Sequence, residues 1–251
     1  MKIASVSCRL ILCALLLSAF ASSLSQTPAS TPLKEVVFPV LPKSGADVNA
    51  FVPAGWSLDA KTTGDLNGDG KPDLLFVLIN NAPNLGVKGV AVLPRIIAVA
   101  FANADGHGYT LAMQNSTLLT IPVEPTSIDM MDGLDSCSQT PAPAKCDGML
   151  KIARGAFQVY IQNWVNGRGG ETFTFRFQHG GVELIGFTSV GVLQNTMETD
   201  DVNYSTGRMV TTTADISSDG PGKSTTKTLP QKPLLNIQTM GNVQDFTGPF
   251  E

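Results

Sequence analysis

Asp65-Leu66-Asn67-Gly68-Asp69-Gly70-Lys71-Pro72-Asp73-Leu74-Leu75-Phe76-Val77-Leu78-Ile79 changes character halfway along. From Leu74 to Ile79 every residue is apolar, and a run of this length bounded by turn residues reads as a central strand covered on both faces. The part before it places oxygen-bearing side chains at loop positions 1, 3, 5 and 9, namely Asp65, Asn67, Asp69 and Asp73, and Lys71 can offer its backbone carbonyl. Calcium takes such a hard oxygen shell and accepts water in the remaining positions, whereas the small octahedral shell of magnesium suits it less. Gly70 gives the chain the freedom to turn around an ion. The loop begins like an EF-hand, but position 12 is Phe76 instead of the bidentate Glu, so Asp73 would have to close the shell. The competing reading is an Asp/Gly-rich β-turn that holds no metal. Crowded carboxylates repel, and either a cation or solvent screening lowers that cost.

Working outward, short apolar runs alternate with clusters of Gly, Asp, Asn, Pro and Ser, the pattern of consecutive strands and turns. Strands are predicted at 74–79, 96–101, 109–113, 118–121, 157–161, 172–177 and 182–187. Phe173, Phe175 and Phe177 recur with period two opposite Thr172, Thr174 and Arg176, and Phe157, Val159 and Ile161 repeat that pattern. These two segments, joined through 166–170, form an expected antiparallel hairpin. Residues 189–200 are mixed and leave room for short helices, 211–227 reads as a surface hairpin or mobile excursion, and 233–237 as a returning final strand. The fold class expected is all-β, with antiparallel sheets and a blade-like calcium loop, in an incomplete or irregular β-propeller-like arrangement.

Lys2 and Arg9 precede an apolar run from Leu10 to Phe20, and Ala19 and Ala21 supply the small residues of a cleavage site, so residues 1–21 read as a signal peptide. The apolar run is too short to cross about 30 Å of hydrocarbon as a helix, so no transmembrane anchor is expected. Residues 22–43, interrupted by Pro28, Pro32, Pro39 and Pro42, read as a tether with one extended piece at 36–38, and 44–251 as a single β-rich domain. Loss of the leader leaves fifteen basic residues against twenty-one acidic ones, 15 minus 21 or −6, which opposes binding to nucleic acid and anionic lipid. Cys137 and Cys146 then remain, and in a periplasmic or secreted location they are expected to close a disulfide with a nominal effect of about 2.5 to 3 kcal/mol.

The run Asp65 to Leu74 resembles the calcium loop of FG-GAP or VCBS-type repeats, found in integrin-like propeller blades and in many exported bacterial proteins. The wider stretch from Phe51-Val52-Pro53-Ala54-Gly55-Trp56 through Leu78 is similar to exported bacterial proteins known only by such a repeat. The resemblance implies metal ligands at Asp65, Asn67, Asp69, the Lys71 carbonyl and Asp73. It covers about thirty residues strongly. The acidic motif occurs once, whereas a closed propeller needs several blades, so the resemblance supports a local blade-like unit and does not establish a ring.

No catalytic residue is assigned from the sequence. His107 follows Asp105-Gly106 and His179 precedes Gly180-Gly181, with no nucleophile identified beside either. Trp56, Tyr160 and Trp164 are the candidate ligand contacts, each with structural packing as its simpler reading. The function expected is a noncatalytic, calcium-stabilised module that binds a protein or glycan. A structural envelope component and an unrecognised extracytoplasmic hydrolase are the alternatives.

Overall fold

The structure is a computed structural model that describes residues 32–123, 149–162, 169–218 and 220–246. Its strands, in chain order, are β1 Lys34–Glu35, β2 Ser44–Gly45, β3 Ser57–Gly64, β4 Asp73–Ile79, β5 Leu85–Val87, β6 Val90–Leu93, β7 Arg95–Ala102 and β8 Tyr109–Asn115. They continue with β9 Ile121–Pro122, β10 Leu150–Ala153, β11 Ala156–Gln162, β12 Gly169–Gln178, β13 Gly181–Leu193, β14 Thr196–Asn203, β15 Arg208–Asp215 and β16 Lys223–Thr228. The protein is all-β, and the only helical pieces among the described residues are two 3-10 turns, Val48–Phe51 and Val243–Asp245. No helix among the described residues is long and apolar enough to cross a membrane.

A five-stranded sheet has the order β2-β8-β7-β4-β3, a seven-stranded sheet runs β10 to β16 as a meander, and a small four-stranded sheet has the order β1-β5-β6-β9. Among the described residues all strand pairings are antiparallel except that of β1 with β5. The continuous apolar run of β4 has a direct cause. Leu75 and Val77 enter a core shared with Phe157, Val159, Phe173, Phe175 and Phe187 of the seven-stranded sheet. Leu74, Phe76 and Leu78 enter a second core with Leu41, Val48 and Phe51. Alternate residues of β7 divide the same way, Ile97 and Val99 into the first core and Ile96, Ala98 and Ala100 into the second. A strand with a core on each side has no wet face, so both of its side-chain sets must be apolar.

The expected hairpin of residues 157–161 and 172–177 is formed by β11 and β12, with Phe157 opposite Phe175 and Val159 opposite Phe173. β15 and β16 pair as a hairpin in which β16 is exposed at every position while Met209 of β15 is buried in the main core. Three expectations are corrected. Residues 118–121 are a strand only at Ile121. Leu118 and Leu119 are wholly buried in a turn, because the Asn115 side-chain oxygen accepts their neighbourhood's amides, Thr117 N and Leu118 N, at 2.7 Å each. Residues 189–200 hold no helix but the ends of β13 and β14, and their mixed pattern arises where this ribbon runs past the main core. Residues 233–237 contribute one isolated bridge, Asn236 to Glu183, flanked by Leu184 N to Leu235 O and Ile237 N to Val182 O at 2.8 Å each. That segment covers the part of β13 that β14 does not reach.

The described part of the tether is engaged with the sheets. Lys34 pairs with Leu85, Leu41 is buried, and its amide donates to Gln114 Oε1 at 2.8 Å. The signal peptide, Cys137, Cys146 and Trp164 lie outside the described residues.

Candidate functional site

The loop from Asp65 to Pro72 connects β3 to β4, whose last paired residues are Gly64 and Asp73. It is folded by its own acidic side chains. Asp65 accepts Gly68 N through Oδ1 at 2.7 Å and Gly70 N through Oδ2 at 2.9 Å. Asn67 Oδ1 accepts Asp69 N at 3.0 Å, and Asp69 Oδ1 accepts Lys71 N at 2.9 Å. Gly68 and Gly70 have φ of +82° and +79°, in the left-handed region that a side chain would strain, which is why glycine stands at both bends. Leu66 points down into the main core and pins the loop to the sheet.

Asp73 has no exposed surface. Its Oδ2 accepts Leu66 N at 2.8 Å and its Oδ1 accepts Ala102 N at 2.9 Å. The residue expected to close an ion's shell is therefore also a strut between the loop and the end of β7. Lys71 Nζ lies 3.6 Å from Asp69 Oδ2. Among the described residues no group of three or more His, Cys, Asp or Glu side chains is disposed to hold a metal ion. The donor chemistry nevertheless suits calcium. The set is all oxygen, and a carboxylate oxygen with one amide contact keeps a further acceptor site.

The turn between β7 and β8 lies at the same end of the five-stranded sheet. It is closed by Asn103 N to Gly108 O and Gly106 N to Asn103 O, both 3.0 Å, and by Asn103 Nδ2 to His107 O at 2.7 Å. Asp105 Oδ1 accepts the backbone amide of His107 at 2.9 Å. The other histidine, His179, is exposed in the β12–β13 turn with Nδ1 3.2 Å from Glu183 Oε2. Glu183 also accepts Gln178 Nε2 at 2.7 Å, and that bond, ahead of those to His179, holds its carboxyl below the usual 4.5.

Two of the aromatic candidates, Trp56 and Tyr160, fall among the described residues, and both are engaged within the protein. Trp56 is half-buried against the second core, its ring 6.0 Å from that of Phe38. Tyr160 pairs with Thr172 and lies across Gly170, where any β-carbon would collide with its ring and hydroxyl. Reasoning from sequence alone did not find the pair Arg95 and Asp59, joined at 2.8 Å from Nε to Oδ2 with Arg95 almost wholly buried. A charged residue at the head of the apolar run 95–102 was the available signal. Its partner was hidden because Asp59 occupies a bulge between Leu58 and Ala60 that shifts the strand register.

No protein-family model matches the chain, and no curated protein or solved structure matches it either.

Proposed function

We propose that this chain is an exported, noncatalytic binding module in which one calcium ion stiffens the Asp65–Asp73 loop and the turn-rich rim around it meets a protein or glycan. The observation that carries the reading is the bracing of the Asp65 carboxylate by the Gly68 and Gly70 amides, which curls an oxygen-rich loop around itself. Asp65, Asn67, Asp69 and the Lys71 carbonyl would hold the ion, and Asp73 would back them from the buried end of β4. The ion supplies charge compensation and fixed loop geometry, and a loop already ordered costs less to bind with.

Metal analysis and thermal melting of the mature protein test this. Extracellular calcium modules have dissociation constants of about 10⁻⁴ to 10⁻³ M. At about a hundred times the dissociation constant, binding to the folded state alone stabilises by about 2.7 kcal/mol. The expected result is one bound calcium, a melting temperature raised by calcium and restored by chelation, and no such response to magnesium at equal concentration. Absence of bound calcium together with a melting temperature indifferent to it would remove the basis of the proposal.

A further inference from the structure

One carboxylate fastens two loops that lie apart in sequence. Asp73 opens β4, and its two oxygens hold Leu66 N, in the loop after β3, and Ala102 N, where β7 passes into the Asn103–Gly108 turn. Each loop has its own closing bonds, Asp65 to the Gly68 and Gly70 amides in the first and Asn103 to Gly108 and His107 in the second. The attachment common to both is Asp73, which is completely buried. A buried anion that loses one of two amide donors is left underbonded in a poor solvent for charge, so release of either loop weakens the state in which the other is held. The consequence is cooperativity between the loops.

We propose that Asp73 is a latch that makes the Asp65–Pro72 loop and the Asn103–Gly108 turn order as one unit, so that an ion held in the first also stiffens the second, which carries Asp105 and His107 at the rim. The clause about the ion rests on the calcium reading above, whereas the latch does not. The turn thereby becomes part of the binding rim without touching the metal.

Amide hydrogen exchange of the mature protein, compared among wild type, Asp65→Ala, Asp73→Asn and the double variant, separates the two ideas. Asp65→Ala removes both bracing bonds of the first loop and none of the turn. In the wild-type background it should speed exchange of the 102–108 amides about tenfold, which is local opening made easier by about 1.4 kcal/mol. An amide at position 73 presents one acceptor oxygen and turns a donor toward the other N–H. In the Asp73→Asn background the further change at residue 65 should therefore leave the turn unaffected. Calcium, raised until each variant is saturated because Asp73 also backs the ion's ligands, should slow exchange in both loops of the wild type, and only in the first loop of Asp73→Asn. Unchanged exchange at 102–108 in Asp65→Ala, or an equal response with and without Asp73, overturns the latch, as does calcium protection confined to the first loop of the wild type. Protection of neither loop by calcium, with the Asp65→Ala response intact, removes the calcium reading and leaves the latch standing. Should Asp73→Asn fail to fold, the Asp65→Ala comparison alone decides.

Discussion

Replacing Tyr204 with phenylalanine should stabilise the protein, against the usual direction of a substitution in a packed region. Tyr204 packs against the main core, and its hydroxyl is buried without a hydrogen-bond partner among the described residues. A buried hydroxyl left unpaired carries a desolvation cost of about 1 to 3 kcal/mol. Removing the oxygen recovers most of that while keeping the ring in place, and the small gap it leaves costs part of the gain back. A net stabilisation of about 1 kcal/mol follows, or about 2 to 4 °C in melting temperature for a domain of this size. Urea melting should show a higher midpoint with an unchanged slope. The same hydroxyl sets an alkaline limit. Burial pushes its pKa from 10.0 up to about 12, so the folded protein holds the phenolic proton more tightly than the unfolded chain does. That contribution is complete below pH 10 and is lost as the pH rises through 12. The phenylalanine variant should lose less stability across this interval than wild type. A variant destabilised by about 1 kcal/mol or more, the signature of a lost hydrogen bond, would refute the reasoning, as would an alkaline decline identical in the two proteins.

Other substitutions test other parts of the structure. Asp59→Ala removes a 2.8 Å charge-assisted hydrogen bond from the Arg95 guanidinium, 2% exposed, and because Arg95 has further interactions and water reaches Asp59 the expected loss is about 1.5 kcal/mol, the lower end for a hydrogen bond to a charged group. A midpoint in urea close to wild type would contradict this. Lys71→Gln removes a cation 3.6 Å from Asp69 Oδ2 while keeping the Lys71 carbonyl, so calcium affinity measured by titration calorimetry should rise about threefold. Weaker binding would mean that Lys71 orders the loop instead of competing with the ion. Glu183 has its pKa lowered by Gln178 first and His179 second, so its contribution to stability is present above the usual 4.5 and is lost as the pH falls through its lower folded value. Gln178→Ala should return the carboxyl, followed by its chemical shift, toward 4.5, and an unmoved titration would show the hydrogen bond to be irrelevant in solution.

The core was legible in the sequence to the extent that one face of the chain repeats. Phe173 and Phe175 alternate with polar residues because their strand has one buried face, and Leu74 to Ile79 do not alternate because a core lies on each side. Leu118 and Leu119 misled the reading for a related reason. A short apolar run is satisfied by burial in any backbone shape, and here a side-chain oxygen of Asn115 bends the chain into a turn. At the loop, the spacing of Asp65, Asn67 and Asp69 was visible and so was the need for glycine. The second task of Asp73 was not, because its partner Ala102 N is a backbone group 29 residues away and leaves no mark on the sequence.

The position of the loop on the fold matters as much as its donors. Leu66 and Asp73 tie it to β4, a strand buried at all seven positions, so movement at the loop is resisted by both cores. At the other extreme β16 is exposed at all six positions and, among the described residues, paired on one edge only, and its lysines at 223 and 227 discourage a second strand from adding there. Local opening costs least where few apolar groups are buried. The framework beneath Asp65–Asp73 therefore has little freedom to move, and any ordering at that end falls on the loop itself and on the turn that Asp73 joins to it.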